Sequence, residues 1–325
     1  MTVLVAFAAL AWVAWTPRRD LLSDGKASVN GLWRGALSNA ARCVEDDGAG
    51  CPFFVRNERG HFLHVRWFPV SANAAAVVPL VVVVHGWAEH LGRKRNVIDE
   101  LRTAGYDVVA FDHQGHGFSA GVPNFDDTEL FADTAAVIST VQEEAGARPT
   151  FIYGHSMGGL VALGTAIKFS HLLRVDGVVV SGPLLASEKA TPFLRAVSDI
   201  VETLLPHLPI VAPLDADISN DPAVVADYVK DPLVYRGGIP ARMGASCMRG
   251  IDFVQKEAAN LKVPVLVIHG DADRVCSLSG SQQFVASNAN AKLHIVPGGW
   301  HELMHEKENR AIVLNWLATQ TKKKN

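Results

Sequence analysis

The sequence has little charge of either sign and almost no cysteine. Of its 325 residues 19% are charged, and the formal net charge is −3 at pH 7. Without a basic excess there is no electrostatic footprint for nucleic acid, so no nucleic-acid partner is expected. The basic run Lys322 to Lys324 lies at a chain end and reads as a solvated tail. The four cysteines are Cys43, Cys51, Cys247 and Cys276. They form no CxxC pair, which argues against structural zinc, and they are too few for a disulfide scaffold. Free thiols are the expectation, although Cys43 and Cys51 are close enough in sequence to bridge in an oxidising compartment. Internal repeats and low-complexity linkers are also lacking. What is present is a composition that is 49% hydrophobic, ample for a buried core and too apolar for a disordered chain.

The first stretch lacks charge altogether. Met1 to Trp15 carries one polar side chain, Thr2, and is followed by Pro17, Arg18 and Arg19. A helix of that length is roughly 22 Å long, short of the roughly 30 Å bilayer core. As a short anchor or interfacial segment, it would make the protein membrane-associated, with the arginines holding the catalytic domain on the cytoplasmic side. As a cleaved signal, with Ala9-Leu10-Ala11 as a small-residue site, it would make the protein secreted or luminal. As a core-packed segment it would do neither. Residues 1–20 are treated as this apolar segment and 21–51 as an N-terminal extension.

Further along, Pro52 to Arg56 and His61 to Phe68 flank the turn-like Asn57-Glu58-Arg59-Gly60 and predict an antiparallel hairpin. Leu80 to Val84 is a continuous apolar run of the kind found in strands buried on both faces. Similar runs recur at Val108 to Phe111, Thr150 to Tyr153, Val175 to Val180, Val263 to Ile268 and Lys292 to Val296. Helix-length stretches lie between most of them, such as Thr128 to Glu144. A last helix presents Ile312, Val313, Trp316 and Leu317 on one face. Strand and helix in alternation predict a doubly wound, mostly parallel α/β sheet with helices on both faces. The rhythm breaks over residues 184–248, which are proline-rich and include an apolar-faced helical piece, Phe193 to Leu205. An insertion of that kind is expected to form a lid or cap. Residues 52–183 and 249–325 then form the core.

The strongest chemical signal is Gly154-His155-Ser156-Met157-Gly158, directly after a strand-like run and before a helix-like one. This is the G-x-S-x-G nucleophile elbow of the α/β-hydrolase fold. A sharp strand-to-helix turn strains the serine and brings its neighbours so close that only glycine fits on either side. A serine hydroxyl needs a base, and the base needs an acid to orient it; in this fold they follow in the order Ser, Asp or Glu, His. Of thirteen histidines, only His171, His207, His269, His294, His301 and His305 follow Ser156. His301 lies in the loop after the last strand run, where ligands bind in open parallel sheets. It is the expected base. The acid is Asp273 or Asp271; Asp271 follows its strand closely and suits a turn, which favours Asp273. The oxyanion is expected to take backbone N–H groups from Met157, after the nucleophile, and from Trp87, in the loop after Val81 to Val84.

Taken together, these motifs resemble the monoglyceride lipase group of the α/β-hydrolases over roughly residues 55–318. The resemblance is carried by His85-Gly86-Trp87-Ala88-Glu89-His90, Asp112-His113-Gln114-Gly115-His116-Gly117-Phe118-Ser119, and the elbow. It continues through Tyr228-Val229-Lys230-Asp231-Pro232-Leu233, Gly270-Asp271-Ala272-Asp273-Arg274-Val275-Cys276 and Gly299-Trp300-His301-Glu302. It implies cleavage of monoacylglycerols to fatty acid and glycerol, a lipid ester as substrate, a membrane surface as partner, and neither metal nor organic cofactor. It also implies Asp273 as the acid, and Glu89, Arg93 and Tyr228 at the polar, glycerol end of the pocket. The sequence departs from the group at Trp87, where a small residue is common, and at Met304, where some members carry a second histidine. The alternatives within the chemistry are a lysophospholipase, a broad carboxylesterase or an acyltransferase. Outside it, the alternative is a non-catalytic ligand-binding protein on the same fold.

Overall fold

The computed structural model describes residues 50–70, 77–186, 200–212 and 217–322. The apolar segment 1–20, nearly all of the extension 21–51, and residues 193–199 of the expected lid helix lie outside the described residues.

The hairpin is formed as expected, by β1 (Cys51–Arg56) and β2 (Phe62–Phe68) paired antiparallel. The strands β3 (Leu80–Val84), β4 (Asp107–Phe111), β5 (Thr150–His155) and β6 (Gly177–Ser181) follow. A short ribbon, β7 (Pro209–Val211) with β8 (Ile239–Pro240), stands apart, and β9 (Val265–Gly270) and β10 (Ala291–Val296) complete the chain of strands. The main sheet has eight strands in the order β1-β2-β4-β3-β5-β6-β9-β10. From β4 to β10 every pairing is parallel; β1–β2 and β2–β4 are antiparallel. Among the described residues, the helices with full bounds are α1 (Arg95–Thr103), α2 (Asp127–Ala145), α3 (Met157–Lys168), α4 (Pro222–Lys230), α5 (Ala241–Glu257), α6 (Leu278–Ser287) and α7 (Lys307–Lys322).

The continuous apolar runs follow from this layering. Successive side chains of a strand point to opposite faces, so a strand covered on both faces is apolar throughout. Leu80, Val82 and Val84 enter the core beneath α2, α3 and α5, together with Val109, Ile152, Val178 and Val267. Val81 and Val83 enter the opposite core with Val108, Tyr153, Val179 and Ile268, against Val97, Ile98 and Leu101 of α1 and Val313 and Leu317 of α7. Fully burying one such side chain is worth about 1.5–3 kcal/mol, so both layers are needed to hold the sheet. The α2 start is fixed by a capping box: Asp126 Oδ1 accepts from Glu129 N at 2.9 Å, and Glu129 Oε2 accepts from Asp126 N at 3.0 Å.

Residue 248, the insertion boundary expected from the sequence, falls inside α5, whose Met243, Ile251 and Val254 belong to the main core. The insertion's own small core joins Ile218, Tyr228 and Val234 to Ala88, with Trp87, Tyr235 and Val275 packed against it. It therefore sits over the loops that follow β3 and β9. One expectation fails: Cys51 is disulfide-bonded, while Cys247 and Cys276 are free. The partner of Cys51 lies outside the described residues.

Candidate active site

Ser156 stands between β5 and α3 with φ 55° and ψ −122°. Among the described residues, the other non-glycine residue with positive φ is Ala88, at φ 64°, in the loop after β3. Both are strained, and both lie at the C-terminal edge of the sheet, where strain collects at functional sites. The elbow glycines are sterically required. A Cβ on Gly154 would lie 2.3 Å from Gly158 O, and one on Gly158 would lie 2.3 Å from Val84 O. As the N-cap, Ser156 leaves Met157 N–H among the first helical donors, which have no intrahelical partner.

The loops after β9 and β10 bring Asp273 and His301 together. His301 Nδ1 is 2.8 Å from Asp273 Oδ2, with both side chains nearly fully buried. Since the carboxylate only accepts, Nδ1 carries the proton and Nε2 keeps its lone pair. Asp273 Oδ1 accepts from Val275 N at 2.8 Å and Cys276 N at 2.9 Å. Burial alone would raise this carboxyl; hydrogen bonds from His269, His301 and the Cys276 N–H outweigh it and hold Asp273 well below the usual carboxylate range. Asp271 instead accepts Gly298 N at 2.6 Å, the turn role. Cys276 ties the groups together: its Sγ is 3.9 Å from Ser156 Oγ while its N–H holds Asp273. The His301 ring also lies 4.8 Å from the ring of His155, the residue before the serine.

The loop after β3 is pinned from two sides. Gly86 N donates to Glu89 Oε2 at 3.0 Å, and a Cβ on Gly86 would lie 3.1 Å from Ser156 Cβ. Ala88 N donates to His116 Nε2 at 3.2 Å, and His116 Nδ1 donates to Gln114 O at 3.0 Å. Trp87, between them, packs edge-on against His116 and Tyr235.

Because His116 accepts at Nε2, it works only when neutral. Burial pushes His116 down to about 4 and His113 down to about 3, from an ordinary value of 6.5. The unfolded chain thus takes up these protons first as pH falls. Their contribution is present above about pH 6.5 and is lost on the way down to about pH 3–4, a loss on the order of 8 kcal/mol for the two together. Asp133, raised by burial to about 6, opposes this in part between about pH 6 and 4. We expect Tm to fall by several degrees between pH 7.5 and pH 5; a Tm that holds or rises would contradict this role for the histidines.

Of the residues expected at the polar end, Arg93 and Tyr228 meet. The Arg93 guanidinium carbon is 5.0 Å from the Tyr228 ring centroid, and Arg93 Nη1 is 3.3 Å from Asp227 Oδ2 and 3.4 Å from Asp231 Oδ2. Arg93 Nε is buried without a hydrogen-bond partner among the described residues. The Arg236 guanidinium carbon also lies over the Tyr228 ring, at 5.2 Å, and Arg236 donates to the Tyr228 carbonyl. Glu89 is 4% exposed, and its carboxylate is taken by Gly86 N and by Lys94, whose Nζ is 2.9 Å away. Sequence reasoning missed Lys94, His155, Glu302 and His269. His269 Nε2 lies 3.3 Å from Asp273 Oδ2 and 3.1 Å from Cys276 O. His155 was in view as a variable position of the elbow motif, and Glu302 as the neighbour of His301, but no periodicity marks either.

This sheet, with a strained serine at the end of its central strand and an imidazole–carboxylate pair from the two last strand loops, defines a serine hydrolase of the α/β-hydrolase class. Residues 75–308 match the family model described as serine aminopeptidase, S33. The chain is 36% identical to the monoacylglycerol lipase of Mycolicibacterium smegmatis, over 74% of this chain and 88% of that one. It is 30% identical to the human monoglyceride lipase, over 77% and 83%. The crystal structure of Paleococcus ferrophilus monoacylglycerol lipase superposes with a TM-score of 0.70 at 30% identity, covering 79% of this chain and 99% of that one. The chain belongs to the monoglyceride lipase family.

Proposed function

We propose that this carboxylic ester hydrolase cleaves the acyl ester of a monoacylglycerol, releasing fatty acid and glycerol through an acyl-enzyme on Ser156. The observation that carries the reading is the 2.8 Å pairing of His301 Nδ1 with a buried Asp273, which leaves Nε2 as a base. In the first half-reaction Ser156 Oγ attacks the ester carbonyl as Nε2 takes its proton. The tetrahedral oxyanion is held by the N–H groups of Met157 and Trp87. Collapse expels the glycerol alkoxide, protonated from His301. Water, deprotonated by His301, then attacks the acyl-enzyme, and the fatty acid leaves as Ser156 regains its proton.

Arg93, Tyr228 and Glu89 are assigned to the glycerol end. The unpartnered Nε of Arg93 supports this, since a buried donor gains most from a hydroxyl that reaches it. Residues 184–248 are proposed as the lid. Exposed apolar side chains there, Ile200, Leu204, Leu205, Ile210, Val211 and Val229, support work at a membrane surface. No helix among the described residues is long and apolar enough to cross a membrane.

The test is a substrate pair sharing one acyl chain, a 2-acylglycerol and the lysophosphatidylcholine. Release of fatty acid should be about tenfold or more faster in kcat/KM for the glycerolipid, a difference of about 1.4 kcal/mol in transition-state binding. Preference for the lysolipid would move the assignment to a lysophospholipase.

A further inference from the structure

Behind the Ser156 elbow lies a buried charge cluster that the hydrolytic steps above do not use. Lys94, at the end of the short helical turn Leu91–Lys94, is 4% exposed. Its Nζ lies 2.9 Å from the Glu89 carboxylate and 3.3 Å and 3.5 Å from the two oxygens of Glu302. Glu302 Oε1 is 3.1 Å from His155 Nε2, and His155 Nδ1 is 3.1 Å from Ser181 O. Ligand atoms of Glu89, His155 and Glu302 fall within 4.8 Å of one another, the spacing of a cation site. Here the chain's own ammonium lies among them.

Each member of the cluster touches a different part of the site. Glu89 holds Gly86 N in the loop that carries Trp87. His155 precedes Ser156, and its ring lies against that of His301. Glu302 follows His301, and its N–H donates to Ile218 O of the insertion at 2.9 Å. We propose that Lys94 is a positioning residue: its ammonium, clamped between Glu89 and Glu302, fixes the loop of the oxyanion donor and the loop of the base relative to each other. This rests on the serine-hydrolase reading above.

The physical ground is like-charge repulsion. Two carboxylates brought together away from water cannot both stay ionised without a counter-charge. Burial alone would raise Glu302; the Lys94 ammonium and the hydrogen-bonded His155 outweigh it and hold Glu302 well below the usual carboxylate range. Other charges facing the cluster are Arg93 on the same turn, His305 at 3.9 Å from Glu302, and Asp273 across His301. Without the ammonium, the two loops lose their common anchor and His301 faces one more uncompensated negative charge. The cluster sets the loop of the oxyanion donor and the loop of the base, so the effect falls mainly on kcat.

The test uses the full chain with Lys94→Met, Lys94→Arg, Glu302→Gln and the double variant Lys94→Met/Glu302→Gln, on a monoacylglycerol. We expect Lys94→Met to lower kcat about 10–100-fold, with KM kept within about threefold and partial rescue in Lys94→Arg. The acid limb of the kcat profile should move to higher pH in Lys94→Met and to lower pH in Glu302→Gln, and return toward wild type in the double variant. Lys94→Met with kcat and acid limb unchanged overturns the proposal. So does a loss of kcat with no movement of the limb in any variant, which is the behaviour of a merely structural lysine. If Lys94→Met does not accumulate folded, Glu302→Gln decides alone: a lowered limb with KM kept supports the clamp, and an unmoved limb overturns it. Ser156→Ala is run beside them. Turnover surviving in Ser156→Ala would sink the serine-hydrolase reading, whereas an inactive Ser156→Ala with normal Lys94 variants sinks the clamp alone.

Discussion

Ser156→Ala is expected to lower kcat for a monoacylglycerol by about 10⁴-fold or more, without a change in Tm beyond a few degrees. Ser156 is buried and its hydroxyl is a single small group, so its loss removes little packing. What it removes is the atom that takes the acyl group. Asp273→Asn should fall by a similar factor, about 10⁴, for a different reason. An amide in place of the carboxylate can donate to His301 Nδ1, so the proton moves to Nε2 and the base no longer accepts. The two defects do not add, because either one empties the same acyl-enzyme route. Ser156→Ala/Asp273→Asn should therefore be no slower than the worse single variant. Single-turnover kinetics on the three proteins check this. A product of the two factors in the double variant would mean that the groups act independently.

The second large effect is on the fold. Gly158→Ala is expected to cost about 3 kcal/mol or more, the upper end for overpacking. Its Cβ would meet Val84 O at 2.3 Å and His85 O at 2.5 Å, both backbone atoms that cannot swing aside. The shift needed would push α3 away from β3 and carry Met157 N–H off the oxyanion. Gly105→Ala is the comparison, since a Cβ there meets nothing within 4 Å, leaving only the strain of its φ of +92°. Urea unfolding should show Gly158→Ala far less stable than Gly105→Ala, and the folded fraction that survives should label slowly with a serine-directed probe. Wild-type stability in Gly158→Ala would show that the elbow is looser than its distances imply.

The parts of this fold visible in the sequence are those governed by a local rule. Val81 and Val82 had to be apolar together because their strand is covered on both faces, and that continuous run announced a parallel sheet. Asn57 to Gly60 marked the turn of the hairpin, and Gly154 and Gly158 marked the elbow, because close backbone approach excludes other residues. His301 and Asp273 followed from chain order and from their place at strand ends. Asp273 was preferred to Asp271 because Asp271 suits a turn and because the resemblance implies Asp273; the structure puts Asp273 Oδ2 2.8 Å from His301 Nδ1, while Asp271 accepts from Gly298 N. The Lys94 clamp was hidden for the opposite reason. Its members come from separate turns and strands, and nothing in the spacing of Glu89, Lys94, His155 and Glu302 encodes their meeting. Glu89 itself was read only as a substrate contact, through resemblance; its carboxylate also holds the chain's own Gly86 and Lys94. The Cys51 disulfide was weighed and set aside, because composition alone does not reveal which compartment the chain meets.

The most direct test is to trap the covalent intermediate. The protein is treated with a fluorophosphonate, digested, and mapped by mass spectrometry, with and without excess monoacylglycerol. The expected result is one adduct per chain on the peptide containing Ser156, slowed by the monoacylglycerol and strongly reduced in Asp273→Asn. An adduct on another residue, or none on folded protein that still releases fatty acid, would contradict the assignment of Ser156 as the nucleophile.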